Sequence, residues 1–180
     1  MPDMKYLERA NLGGFAIDKR DYIELVEFIR QEGAKRVLEF GPGATTWAFL
    51  EAGCDVWSLE FGEEYLAKAT EAFREHDNVK LFKVELKHDL VVPEIEGQTF
   101  DICLVDSPYG RYYRYFSRLN SSIFAMRASN TILMHDARRK KERLTLKFIE
   151  DSGWKVEPLY RRRSNFTVCR RIENYSIPCV

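Results

Sequence analysis

Acidic side chains and one histidine fall where strand-like segments of this sequence end. Glu39, Glu60 and Asp106 each stand at or next to the last residue of an apolar run, and the pair His135–Asp136 closes another. Carboxylates accept hydrogen bonds from hydroxyl and amino groups, and histidine takes up a proton near neutral pH. In parallel sheets, ligands bind beyond the carboxyl ends of the strands. The pattern predicts a site that binds a polar ligand and moves a proton.

A turn with two glycines follows the first of these acids. Gly41 and Gly43 allow the backbone to turn sharply and to approach a ligand closely. The next residues begin a helix whose first amides are free for an anion, and Thr45 and Thr46 add hydroxyl donors. Thr46 stands where the dinucleotide fingerprint has its third glycine, which favours a carboxylate or ribose over a pyrophosphate. An ordinary tight turn is the alternative interpretation.

Glu60 comes about twenty residues after this turn, where an acid binds ribose hydroxyls in nucleotide-binding sheets. A carboxylate there accepts from both hydroxyls and repels a phosphate. Phe61 could lie against a purine ring or pack in the core. A surface glutamate in an acidic stretch is the alternative for Glu60.

Asp106, His135 and Asp136 are the candidate catalytic residues. Asp106 could orient or deprotonate an acceptor, and His135 is the natural base near neutral pH. Asp136 either joins them or caps the following helix. The two carboxylates, Asp106 and Asp136, could also share a divalent cation through oxygen ligands.

Basic and aromatic residues follow both acid-bearing segments. Positive charge at the start of a helix opposes the helix dipole, and arginine binds carboxylates and phosphates in two-point contacts. We therefore predict that these residues bind an acceptor with negative charge; solvated surface charge is the alternative. Arg118 lies on the same helical face as Arg111 and Arg114, which favours an amphipathic surface helix. The predicted acceptor-binding residues are Tyr109, Arg111, Arg114, Arg138 and Arg139.

Strands and helices alternate along the chain. Apolar runs predict strands over 36–40, 55–60, 79–84, 100–105 and 131–134, and helical periodicity predicts helices over 18–31, 45–52, 63–75, 112–128 and 138–151. Two further strand-like runs, 154–160 and 165–170, are spaced for a hairpin. The alternation predicts an α/β fold, with a doubly wound, mostly parallel seven-stranded sheet, a C-terminal antiparallel hairpin and helices on both faces.

Length and composition are those of one globular domain. The chain has 180 residues, 45% of them hydrophobic, and its 28 basic and 28 acidic residues give a net charge of zero, which argues against a globally basic nucleic-acid binder. The absence of a long apolar run predicts no membrane span and no signal peptide. Four widely spaced cysteines favour buried free thiols and a cytoplasmic protein. We expect a single domain over 1–180, with an N-terminal extension over 1–17, a core over 18–171 and a tail over 172–180.

Several of these segments together resemble the class I S-adenosylmethionine-dependent methyltransferases. The resemblance is carried by residues 37–46, 58–60 and 100–106 and by the closing hairpin, and it covers roughly residues 10–171. The hairpin matters because ordinary dinucleotide-binding folds lack it. The resemblance implies the Rossmann-like methyltransferase fold and S-adenosylmethionine as the cofactor.

The same resemblance implies roles for particular residues. Glu39, Gly41 and Gly43 match the positions that line the methionine part of the cofactor, and Glu60 matches the acid that binds its ribose. The residue that contacts adenine stays open between Glu85, Leu86 and His88.

The reaction end is similar to two groups of O-methyltransferases. Metal-dependent enzymes of the catechol type have a third oxygen ligand after the second acid, where this chain has Ala137, so a divalent metal is the less favoured interpretation. The segments 106–108 and 134–138 resemble the glucuronoxylan-type polysaccharide O-methyltransferases. The favoured function is methyl transfer to an oxygen of a small-molecule or sugar-like acceptor, with an anionic one preferred. The alternatives are a nucleic-acid base methyltransferase and a nucleotide-binding module without catalysis.

Overall fold

The structure, a computed structural model, describes residues 4–10, 17–85, 90–107, 118–160 and 165–173. The chain divides into two compact units, Met1–Leu86 and Lys87–Val180. The described residues include seven strands, three in the first unit and four in the second, the number that the sequence predicts. Within the described ranges, no helix combines the length and the apolar character needed to cross a membrane.

The first unit is a three-stranded parallel sheet with its helices. Its strands are β1 (Arg36–Phe40), β2 (Asp55–Glu60) and β3 (Val79–Lys83), and its helices are α1 (Lys19–Glu32), α2 (Ala44–Ala52) and α3 (Glu63–Phe73). The strand order is β3-β2-β1, with Glu39 beside Ser58 in the register. Helix α2 is buried from Ala44 to Leu50 because its sequence is apolar on nearly every side. That burial fixes the helix start that follows the glycine turn.

In the described part of the second unit there are four strands and two α-helices. They are β4 (Ile102–Val105), α4 (Leu119–Ala128), β5 (Thr131–Met134), α5 (Lys140–Asp151), β6 (Trp154–Pro158) and β7 (Thr167–Arg171), preceded by a single 3₁₀ turn over Pro93–Ile95. The strand order is β4-β5-β7-β6; β4 and β5 are parallel, and β7 is antiparallel to both of its neighbours. The predicted hairpin is therefore confirmed.

The predicted elements are present, with differences at some ends. Helix α5 begins at Lys140, so the prediction that Arg138 opens it is wrong. The reason is local: Asp136 has a left-handed φ of 54°, and Arg139 is extended, so the chain turns before it can become helical. Residues 112–117 of the predicted fourth helix lie outside the described residues. Cys54, Cys103 and Cys169 are buried thiols, as predicted, and Cys179 lies outside the described residues.

Candidate functional site

In the first unit, a buried carboxylate lies beneath the glycine turn. Glu39 is fully buried in β1. Thr45 Oγ1 donates to its Oε2 at 2.8 Å, and Thr46 Oγ1 donates to its Oε1 at 2.5 Å. Both hydroxyls are therefore used to hold Glu39, a role that the sequence did not indicate. Cofactor contact by Glu39, Thr45 and Thr46 stays a prediction.

The two glycines of the turn serve different purposes. Gly41 has a φ of 99°, which favours glycine, and its amide donates to the carbonyl of Leu59 on the neighbouring strand at 2.9 Å. Gly43 has an extended φ of 169°, and its amide donates to Thr46 Oγ1 at 2.9 Å. Apart from its chain neighbours, a Cβ atom built on Gly43 would meet no atom of the described residues within 4 Å. The missing side chain leaves open space beside the start of α2.

The Thr46 hydroxyl supports both Glu39 and the turn, so its loss should reduce stability. We expect Thr46→Val to lower the free energy of unfolding by about 1–3 kcal/mol, because a buried carboxylate oxygen and the amide of Gly43 each lose a partner. Urea denaturation measures the change. Thr70→Val is the matched control, because the Thr70 hydroxyl only bonds the Leu66 carbonyl on an exposed helix face. Equal stability of both variants would contradict this role.

Glu60 ends β2 as a buried acid held by backbone amides. The amide of Gly62 donates to its Oε1 at 2.6 Å, and its side chain is close to fully buried. Burial raises the pKa of Glu60, although hydrogen bonds from the Gly62 and Phe61 amides and the charge of Lys83 act in the opposite direction. Phe61 is half-buried. Ribose binding by Glu60 and purine contact by Phe61 stay predictions.

In the second unit, the three predicted catalytic residues lie together. His135 Nδ1 is 2.9 Å from Asp106 Oδ1 and 3.6 Å from Asp136 Oδ2. An ionised carboxylate only accepts hydrogen bonds, so the neutral ring carries its proton on Nδ1. The other ring nitrogen, Nε2, is buried and has no hydrogen-bond partner among the described residues. Phe166 packs on the ring at 4.8 Å between centroids. The arrangement is a histidine oriented by an acid, with a lone pair left for a proton.

Asp136 is not the cap of α5, because that helix begins at Lys140 with Arg139 at its N-cap. The alternative role considered for it is therefore wrong. Its Oδ2 instead accepts from Arg139 Nη2 at 2.7 Å. This contact offsets positive charge before the helix. Arg138 is exposed. Acceptor binding by Arg138 and Arg139 stays a prediction, and the other residues predicted for it, Tyr109, Arg111 and Arg114, lie outside the described residues.

Arg118 is the residue that the sequence interpretation missed. It was expected on a surface helix, but its side chain is only 2% exposed. Its Nη2 lies 3.0 Å from Asp106 Oδ1 and 3.8 Å from Asp136 Oδ2, and its Nη1 donates to the His135 carbonyl at 2.5 Å. Its Nε lies 3.9 Å from Glu142 Oε1, which is also buried. The helical spacing of Arg118 from the other arginines is typical of an exposed helix face, so the sequence did not indicate that Arg118 is buried.

The predicted metal pair, Asp106 and Asp136, can be tested against these contacts. Ligand atoms of these two residues and of His135 lie within 4.8 Å of one another, a spacing compatible with a cation. The guanidinium of Arg118, however, already lies against both carboxylates. A divalent ion would meet a fixed positive charge there, so the residues do not fit a metal while Arg118 is in place.

The surroundings of His135 predict a pH dependence of stability. Burial lowers its pKa, but the hydrogen bond and charge of Asp106 and the charge of Asp136 outweigh burial and the charge of Arg118, so its pKa is raised above 6.5. A raised pKa contributes stability below the unfolded value that is lost as pH rises through the folded value. We expect the stability difference between the wild type and His135→Gln to shrink above about pH 6.5. Urea denaturation across this range measures it, and a difference that grows with pH would contradict the assignment.

Comparisons with known proteins identify the fold. No protein-family model matches the sequence, and no curated protein is similar to it in sequence. Among solved structures, the chain is similar to an O-methyltransferase from Bacillus cereus in complex with SAH, with a TM-score of 0.71, 16% identity, and coverage of 95% of this chain and 93% of that one.

Two further solved structures show the same similarity. A candidate RNA methyltransferase, PH1948 from Pyrococcus horikoshii, has a TM-score of 0.63 and 17% identity, with 96% of this chain and 100% of that one covered. The SAH-bound methyltransferase PaMTH1 from Podospora anserina has a TM-score of 0.63 and 16% identity, with 96% and 89% covered. The chain has the class I methyltransferase fold. At these identities the similarity is one of fold.

Proposed function

We propose that this protein transfers a methyl group from S-adenosylmethionine to an oxygen of a small-molecule or sugar-like acceptor. The observation that carries the proposal is the pairing of His135 Nδ1 with Asp106, which leaves Nε2 without a described partner. A hydroxyl acceptor must lose its proton when the new carbon–oxygen bond forms. In this proposal Nε2 takes up that proton, and bound S-adenosylmethionine would supply the methyl group and remain as S-adenosylhomocysteine.

In this proposal, residues of the first unit bind the cofactor. The carboxylate of Glu60 accepts from the ribose hydroxyls, and the turn from Gly41 to Thr46 binds the methionine part. The open space at Gly43 supports the second role, because a ligand can approach the backbone there. The buried Glu39, held by both threonine hydroxyls, keeps the turn in one conformation.

The space at Gly43 gives a test that separates binding from folding. We expect Gly43→Ala to weaken S-adenosylhomocysteine binding about tenfold or more, since the added methyl group occupies ligand space. Its melting temperature should stay within about a degree of the wild type, because the methyl group meets none of the described residues beyond its chain neighbours. Calorimetry and thermal denaturation measure the two effects. Unchanged affinity in a folded variant would remove this turn from the cofactor site.

The proposed acceptor carries negative charge. Support comes from the exposed side chain of Arg138 and from Arg139, which is 47% exposed beside Asp136. Arginine binds carboxylates and phosphates in two-point contacts. A nucleic acid is the second candidate, suggested by the likeness to PH1948, which is described as a candidate RNA methyltransferase. The zero net charge favours the small acceptor.

A methyl-transfer assay with labelled S-adenosylmethionine distinguishes these acceptors. The panel should contain sugar acids, phenolic acids, their uncharged amides, and RNA and DNA oligonucleotides. The proposal predicts label in a base-stable methyl ether of an anionic compound, with modest inhibition by salt. Labelled bases with a steep salt dependence would establish the nucleic-acid alternative, and binding of cofactor without turnover of any acceptor would favour a binding module.

A further inference from the structure

Arg118 is a buried cation among three acids, and the proposed proton transfer leaves its role unexplained. Its Nη2 contacts Asp106 at 3.0 Å and lies 3.8 Å from Asp136, while its Nε lies 3.9 Å from Glu142. Its Nη1 also bonds the carbonyl of His135. The Arg118 side chain thus lies against the Asp106 and Asp136 carboxylates and also bonds the backbone of His135.

Arg118 places a permanent positive charge in this cluster. A guanidinium stays protonated at any ordinary pH, and its planar fork fixes the direction of each hydrogen bond. Removal of one partner from a buried ion cluster leaves the other charges uncompensated. Without Arg118, the carboxylates of Asp106 and Asp136 would face each other across His135 with no buried cation against both.

The same three residues have the donor types of a divalent metal site. Asp106, His135 and Asp136 offer two carboxylate oxygens and one imidazole nitrogen within 4.8 Å of one another. Carboxylate and imidazole ligands bind ions such as Mn²⁺. The guanidinium of Arg118 lies against both acids, so a cation bound by these donors would meet its positive charge.

We propose that Arg118 is a positioning residue that serves as the built-in cation of this cluster. It holds Asp106 and Asp136 in place, as a bound divalent metal would. Its positive charge excludes such a metal, and removal of the guanidinium allows the three donors to bind one. The role in catalysis rests on the proposed function, because Asp106 is the partner of the proposed base. The consequence for metal binding does not depend on it.

Titration with Mn²⁺, followed by the electron paramagnetic resonance signal of the free ion, tests the proposal. Arg118→Met keeps much of the side-chain length and removes the charge, whereas Arg118→Lys keeps the charge. We expect Arg118→Met to bind Mn²⁺ at least about tenfold more tightly than the wild type or Arg118→Lys, neither of which should bind it beyond the weak level of surface carboxylates. Adding Asp136→Asn to Arg118→Met should abolish the gain. Arg127→Met, on the exposed side of α4, is the matched control and should behave as the wild type.

Two results would overturn the part of the proposal that concerns the metal. One is Mn²⁺ binding by the wild type that Asp136→Asn abolishes, and the other is a folded Arg118→Met protein that binds Mn²⁺ no more tightly than the wild type. If Arg118→Met is too unstable for titration, its melting temperature is measured with and without Mn²⁺. A higher melting temperature with Mn²⁺ supports a metal site in this variant, and an unchanged one contradicts it. These readouts do not involve methyl transfer, so failure of the proposed function would leave them unaffected. For the positioning role, Arg118→Lys should retain more of the kcat than Arg118→Met, and equal losses would contradict it.

Discussion

His135→Gln should lower the kcat of methyl transfer by about 10²–10⁴-fold, the usual contribution of a positioned general base. Glutamine fills a similar space but has no basic nitrogen. The affinity for S-adenosylhomocysteine should stay within about twofold of the wild type, because the proposed cofactor contacts come from other residues. Single-turnover assays and calorimetry measure the two quantities.

Asp106→Asn should produce a loss in the same range, because Asp106 orients the ring and stabilises its protonated form. Asp151→Asn is the control, since Asp151 only pairs with Lys147 on the surface. In the wild type, the rising limb of the kcat profile against pH should lie above 6.5, because the Asp106 and Asp136 carboxylates raise the pKa of His135. A kcat within about threefold of the wild type in both site variants would exclude a base at this position.

Glu60→Ala should weaken S-adenosylhomocysteine binding by about 1–3 kcal/mol. This change corresponds to an increase in Kd of roughly fivefold to a hundredfold. The reason is the loss of a carboxylate that accepts charge-assisted hydrogen bonds from two ribose hydroxyls. Glu64→Ala is the matched control, because Glu64 is an exposed acid paired with Lys68 on α3. Calorimetry on both variants measures the difference, and equal affinities would contradict the assignment of Glu60.

Glu60→Gln separates this role from a structural one. Burial raises the pKa of Glu60, and a carboxyl with a raised pKa contributes stability at low pH that is lost as pH rises through the folded value. The ionised carboxylate of Glu60 therefore lowers the stability of the protein without cofactor. We expect Glu60→Gln to be at least as stable as the wild type at pH 7 while binding cofactor more weakly. A large loss of stability would indicate that Glu60 is mainly structural.

The order of the elements could be predicted because it depends on local patterns. The strand over Arg36–Phe40 ends at a glycine turn, and the helix over Lys19–Glu32 ends at a left-handed glycine, Gly33. Both signals lie within a few residues of the boundary that they set. The start of α5 was missed because it depends on the left-handed φ of Asp136, which is uncommon for aspartate.

The glycine turn and the cluster around His135 differ in how much the sequence reveals. The acids at the strand ends could be found from periodicity alone, and His135 does lie against Asp106. The burial of Arg118 could not be found, because it is caused by partners far along the chain at Asp106 and Glu142. The local spacing predicts an exposed position for Arg118. Only the folded second unit shows that three acids surround its side chain.

Calorimetric titration of the wild-type chain with S-adenosylhomocysteine, with NAD⁺ run in parallel, tests the central claim most directly. The account predicts saturable binding of one S-adenosylhomocysteine per chain, weakened by Glu60→Ala and by Gly43→Ala but not by Glu64→Ala, and much weaker binding of NAD⁺. No detectable binding of S-adenosylhomocysteine at millimolar concentration, or tighter binding of NAD⁺, would contradict it.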